Sequence, residues 1–258
     1  MADDSRKFWF AGAVLAAILL ALGGAISMAE TAPATQPAVS QRELHVWIGQ
    51  LASDDPQTRR TALNDLMGLQ KQELPALRAA AMSEHSLLPE QVAEIRQAVT
   101  QVFLAGDPFK YATDPQDDIG FLGVQWQREA PSQPPDGVLV WSRIPGFVAY
   151  RMLQPGDIIV KILRQPAAPD VTLHDFDEFV ELVRHLHAGE VLRLQVLRYG
   201  RPMDISIRLD HRPLDLTKDP AGVMIQQWIN ARAQAAEDYW NQEFSAIDPV
   251  QATSSTQP

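Results

Sequence analysis

Phe121-Leu122-Gly123-Val124 and Leu153-Gln154-Pro155-Gly156-Asp157-Ile158-Ile159 are the two stretches that decide how this chain is read. A glycine between bulky apolar residues at the head of a strand lets main-chain amides face a ligand. The Pro-Gly-Asp turn, opening onto an apolar run, fixes where the next strand begins. Neither stretch carries a reactive group. Both suit gripping a chain more than transforming one.

Short strands extend outward from these two points. Residues 120–126 and 137–141 read as strands, and Ile144-Pro145-Gly146 opens a short turn-helix containing Ala149. Residues 175–186 form an amphipathic helix with Phe176, Phe179, Leu182, Val183 and Leu186 on its apolar face, and Gly189 as the residue that closes it. Two strands follow, 191–198 and 203–209, joined through Tyr199-Gly200-Arg201. In the second, Ile205, Ile207 and Leu209 face one way.

The order and spacing of these pieces, over residues 117–212, resemble a PDZ domain of the circularly permuted, HtrA-like type found in bacterial periplasmic proteases. The resemblance implies a groove between the first strand and the 175–186 helix. A peptide would add there as a strand, pairing its backbone with Val124, Gln125 and Trp126. The amides of Leu122 and Gly123, with that of Phe121, would face its C-terminal carboxylate. Its last side chain would enter a pocket of Phe121, Val124, Phe179 and Val183. Grooves of this kind bind near the micromolar range, about −8 kcal/mol. Gly123→Asp is expected to abolish binding while leaving the fold largely intact.

A second reading stays open. Phe121, Leu122 and Val124 also suit the core of a structural or assembly module whose groove is filled by its own helices, and deleting 222–258 would then unmask binding. The family commonly has a glycine before the leucine of its Leu-x-Pro-Gly-Asp turn, among small residues. This chain has Met152 there, with Phe147, Tyr150 and Arg151 nearby. A bulky residue disfavours a left-handed cap, so this surface is a candidate for a contact of its own.

The flanks are helical. In residues 42–105, Leu44, Trp47, Ile48 and Leu51 recur at helical spacing, and Ser53-Asp54-Asp55-Pro56 is a helix start. Leu74-Pro75 opens another helix, and Pro89 opens one through Ile95, Val99 and Phe103. The pattern resembles a HEAT-like helical pair and equally suits a plain four-helix cap. Residues 106–118 read as a linker. Residues 213–247 carry Met224, Ile225, Trp228, Ile229, Ala236, Tyr239, Trp240 and Phe244 as a helical stripe, read as a helix docked on its own protein, with a partner-binding helix as the sharper alternative. Residues 248–258 read as a disordered tail. The fold class expected is therefore α+β.

At the start, Arg6 and Lys7 precede an uncharged run from Phe8 to Ile26, with Ser27-Met28-Ala29 after it. These are the marks of an export signal. The run would also span a bilayer, at ~1.5 Å rise per residue. Residues 1–29 are read as a signal peptide or a signal anchor, and 30–41 as a flexible linker. Either way the body is exported, to the periplasm or cell envelope, with the inner membrane as the tether. The expected partners are protein or peptide C-termini in the envelope.

Composition excludes several classes. A net charge of −10 with no basic run argues against nucleic acid. The absence of cysteine removes thiol nucleophiles, Cys-based redox chemistry and Cys-based zinc sites. His185 and His187 lie two apart at a helix end, not the i, i+4 spacing of a helical metal pair. Asp54-Asp55 and Asp117-Asp118 read as caps and turns. No catalytic residue, metal or cofactor is expected.

Overall fold

A computed structural model describes residues 39–106, 116–125, 137–164, 169–213 and 222–247, the side chains of Gln116 and Asp117 excepted. The chain divides into two compact units, 1–37 and 38–258, and all described residues belong to the second. The expected export segment, the site residue Trp126 and the tail 248–258 lie outside the described residues. No described helix is long and apolar enough to cross a membrane. The architecture is mixed α and β, with antiparallel pairing throughout the described strands.

Local chemistry sets the first helices, α1 (Gln41–Gln50), α2 (Pro56–Leu66), α3 (Leu74–Ser83) and α4 (Pro89–Leu104). Ser40 and Glu43 cap α1 reciprocally, each side chain accepting the other's backbone N–H, at 3.3 and 2.9 Å. Asp55 accepts the Thr58 N–H at 2.9 Å, and Pro56 occupies the first turn of α2. Gln91, at the start of α4, donates to the Ile48 carbonyl at 2.8 Å and so ties α4 to α1. Leu44, Ile48, Leu66, Leu77 and Ile95 are fully buried in one core.

The second half of α7 (Val223–Glu243) completes that core. Ala236 and Trp240 enter it together with Phe244, whose ring stacks on Trp240 at 5.3 Å. Arg78 and Glu243 pair across this seam at 3.3 Å, and Arg96 pairs with Glu237. The first half of α7 turns to the β region, where Trp228 packs with Ile144 and Phe147. From Ile225 to Phe244 the apolar stripe thus packs on its own protein, while Met224 at its start stays exposed.

The β region holds β1 (Gln116–Phe121), β2 (Val124–Gln125), β3 (Val138–Leu139), β4 (Ser142–Arg143), α5 (Val148–Met152), β5 (Ile158–Ile162), β6 (Val171–Thr172), α6 (Phe176–Val183), β7 (Val191–Arg198), β8 (Arg201–Arg208) and β9 (Asp210–Arg212). The main sheet runs β3-β5-β7-β8, with β6 also on β5; β1 pairs β9, and β2 pairs β4. Register follows the side-chain alternation. Leu194 pairs Ile205 and Leu192 pairs Ile207, so all four face the core.

The Pro155-Gly156-Asp157 turn does more than start β5. Gly156 donates to the Val140 carbonyl at 2.9 Å, and Val140 donates to that of Asp157 at 2.8 Å. Arg198 closes on the Asp157 carboxylate with two bonds, at 2.8 and 2.7 Å.

Four local expectations are corrected. The single strand 120–126 is two pieces, because Gly123 takes φ +77° and turns the chain between β1 and β2. Asp117-Asp118 lies inside β1, not in a turn. Helix α6 ends at Val183, with Arg184 as its right-handed C-cap, so Gly189 does not close it. Instead Gly189, at φ +86°, turns the chain between His187 and Glu190. Pairing with β1 pulls this segment off the helix: Gly120 donates to Leu186 and Ala188 to Asp118, both at 2.9 Å.

Met152 needs no left-handed cap. Leu153 caps α5 in an extended conformation that tolerates a bulky neighbour. The bulky residues expected to make a contact of their own do so. Tyr150 packs against the helical core, and Arg151 donates to the Asn64 carbonyl at 3.2 Å. Phe147 is fully buried beside Trp228.

Candidate functional site

Between the chain around Gly123 and helix α6 runs a cleft of about 460 Å³. Phe121, Leu122, Gly123, Val124 and Gln125 line it from the β1–β2 segment, and Phe176, Phe179, Val180 and Val183 from α6. Gly120, Arg184, Arg212 and Ile225 complete it. Seven of the eight residues singled out from sequence therefore border one space, and Trp126 lies outside the described residues.

Helix α6 presents its wall because Phe176, Phe179, Val180 and Val183 fall at i, i+3, i+4 and i+7. Asp175 caps it by accepting the Glu178 N–H at 2.8 Å. Phe179 points inward and is buried, whereas Val180 is 39% exposed. An apolar side chain so open, on the wall of a cleft, is the part of α6 best placed to meet a ligand. Val180 is not among the residues singled out from sequence, although its helical spacing from Phe176 and Val183 places it on the same face. Ile225 and Arg212 come from distant elements and had no local signal.

The opposite wall is backbone. Among the described residues strand β2 pairs with β4 alone, through Val124 with Arg143 and Gln125 with Ser142. Its other edge borders the cleft, an open template for another strand. Among the described residues, no backbone hydrogen bond uses the amides of Leu122 or Gly123. The Gly123 carbonyl is engaged behind the cleft, accepting the Ile144 N–H at 2.8 Å.

The rear of this loop is aromatic. A Cβ on Gly123 would stand 2.7 Å from Phe147 Cγ. Phe121 meets the Phe147 ring edge-on at 5.0 Å, and Trp228 lies 6.0 Å from it. The Arg232 guanidinium sits 4.6 Å from the Trp228 ring centre and 5.4 Å from that of Phe147. It donates to the carbonyls of Leu104 and Pro145, and burial pushes its pKa down to about 10.

Three of the six histidines each pair with a carboxylate. His187 meets Asp118 at 3.1 Å, His185 meets Glu181 at 3.3 Å, and His45 meets Glu84 at 2.9 Å. Among the described residues no group of three His, Asp or Glu converges.

No family model matches the chain, and no curated protein matches it. Among solved structures it is similar to HtrA-type protease AlgW with decapeptide, at 24% identity and a TM-score of 0.31, over 38% of this chain and 31% of that one. It is also similar to HtrA-type protease AlgW with tripeptide, at 24% identity and a TM-score of 0.32, over 39% and 34%. The chain thus spans about a third of the length of these structures.

Proposed function

We propose that the protein binds extended or C-terminal peptide segments in the cleft between β2 and α6, by strand addition, without transforming them. The observation that carries this is the pairing of a one-sided strand with an apolar helix wall across an open cleft. A bound backbone would hydrogen-bond the free edge of β2. A terminal carboxylate would meet the amides of Leu122 and Gly123. The wall of Phe176, Val180 and Val183 selects apolar side chains. Export to the cell envelope, tethering by the segment 8–26, and the envelope's own protein C-termini as ligands belong to the same proposal.

One observation favours the rival reading, a structural module. Ile225, on the first turn of α7, lines the cleft, so one of the protein's own helices borders the space a peptide would take. Under that reading Ile225→Ala opens a space that no peptide enters. Under peptide binding the same change leaves the ligand preference intact.

The test is a C-terminal peptide-library screen against the full chain, with Val180→Asp as control. Gly123→Asp does not serve, because its side chain would collide with Phe147. Deleting 222–258 does not serve either, because Trp240 and Phe244 belong to the helical core. Enriched peptides sharing an apolar last residue, and lost in Val180→Asp, support the proposal. No enrichment by a folded chain overturns it.

A further inference from the structure

The floor behind the cleft is held by a residue outside the β region. Gln101, on α4, is 3% exposed and uses both ends of its side-chain amide on one turn. Its oxygen accepts the Gly146 N–H at 2.7 Å, and its nitrogen donates to the Phe147 carbonyl at 3.3 Å. That turn carries Phe147, and Gly123 packs close against its side chain. The adjoining residue Ile144 donates to the Gly123 carbonyl. The path from α4 to the two loop amides is therefore four consecutive residues, 144–147, and one close contact.

We infer that Gln101 is a positioning residue for peptide recognition, so that the helical segment is part of the binding machinery and the β region is not a self-sufficient binding module. This rests on the peptide reading above. Amides that must converge on one carboxylate need their backbone held to within a fraction of an ångström. Gly123 sits at a positive φ with no side chain of its own to anchor it. Its position is fixed by what stands behind it, and Gln101 fixes that. A buried side-chain amide with both ends used is also costly to replace by an apolar group, since two backbone groups lose their partner.

Two fluorescein-labelled decapeptides of one sequence, ending Leu-Val-Ala-Val, serve as probes, one with a free carboxylate and one with a carboxamide. Anisotropy titrations compare the full chain with Gln101→Leu, and with Gln101→Met should the first not fold by circular dichroism. The expected result is an affinity for the free acid lowered about tenfold, with the preference for acid over amide narrowed. Loss of preference is the readout that a merely structural role would not move. Hydrogen exchange should quicken at residues 121–124 and 144–147 but not in β7 and β8. A variant that loses melting temperature yet keeps the wild-type preference overturns the inference and leaves the peptide reading standing. A wild-type chain that binds neither probe overturns the peptide reading, and the inference with it.

Discussion

Gly123 and Phe147 are packed so closely that the glycine has no room for a side chain: a Cβ would lie 2.7 Å from Phe147 Cγ, on a backbone at φ +77°. Two costs follow from one substitution, a strained left-handed conformation and an overpacked contact. Gly123→Ala should lower stability by about 2–4 kcal/mol, read as an earlier midpoint in urea unfolding with unchanged slope. A midpoint equal to wild type would mean that the loop moves freely away from Phe147.

Val180→Asp separates binding from folding. Val180 is more exposed than any other apolar residue of the α6 wall, so stability should stay within about 0.5 kcal/mol of wild type. A carboxylate placed there faces both the apolar side chains of a ligand and its terminal charge. Peptide affinity should fall at least about tenfold, or ~1.4 kcal/mol, in an anisotropy titration. Unchanged affinity would remove the cleft from the binding site.

What the sequence disclosed and what it hid divide along the range of the forces involved. Asp55 before Pro56, the Pro155-Gly156-Asp157 turn and the period of the α6 wall are local chemistry, and each stands where it was read. The end of α6 was misplaced because the backbone of residues 186–188 pairs with β1, a partner some 70 residues away in sequence by numbering and invisible to helical periodicity. The break at Gly123 was legible only as a glycine; that it turns the chain follows from Phe147 behind it. Gln101 gave no signal at all. A glutamine on an apolar helix face looks like an interruption of the stripe until the turn it grips is known.

The Asp157–Arg198 pair should be the costliest polar contact in the β region to break. Asp157 is 1% exposed and also accepts the Gln154 N–H at 2.8 Å, so its carboxylate holds the turn from both sides. Removing it leaves a guanidinium that is largely buried without its counter-charge. Asp157→Ala should cost about 3–5 kcal/mol, a fall in melting temperature on the order of 10 °C for a unit of this size. Thermal melts followed by circular dichroism decide it, and a fall of only a degree or two would show that Arg198 finds water.

Glu94, on α4, carries a pH-dependent liability of the opposite kind. Burial raises its carboxyl pKa above the ordinary 4.5, and the nearby Arg59 charge offsets only part of that. One carboxylate oxygen is buried with no hydrogen-bond partner among the described residues. A raised folded-state pKa means that the native state holds the proton more tightly than the unfolded chain. Between the ordinary value and the raised one, the native state therefore binds more protons, and stability falls as pH rises through that window. At pH 7 the ionised carboxylate is a cost; as pH falls below the ordinary value both states take up the proton and the cost fades. Glu94→Gln should accordingly stabilise the protein at pH 7 and confer no gain at pH 4, measured as the difference in urea-unfolding free energy at the two values. A gain of equal size at both would trace the effect to packing, and a loss at pH 7 would show that the Arg59 interaction outweighs burial.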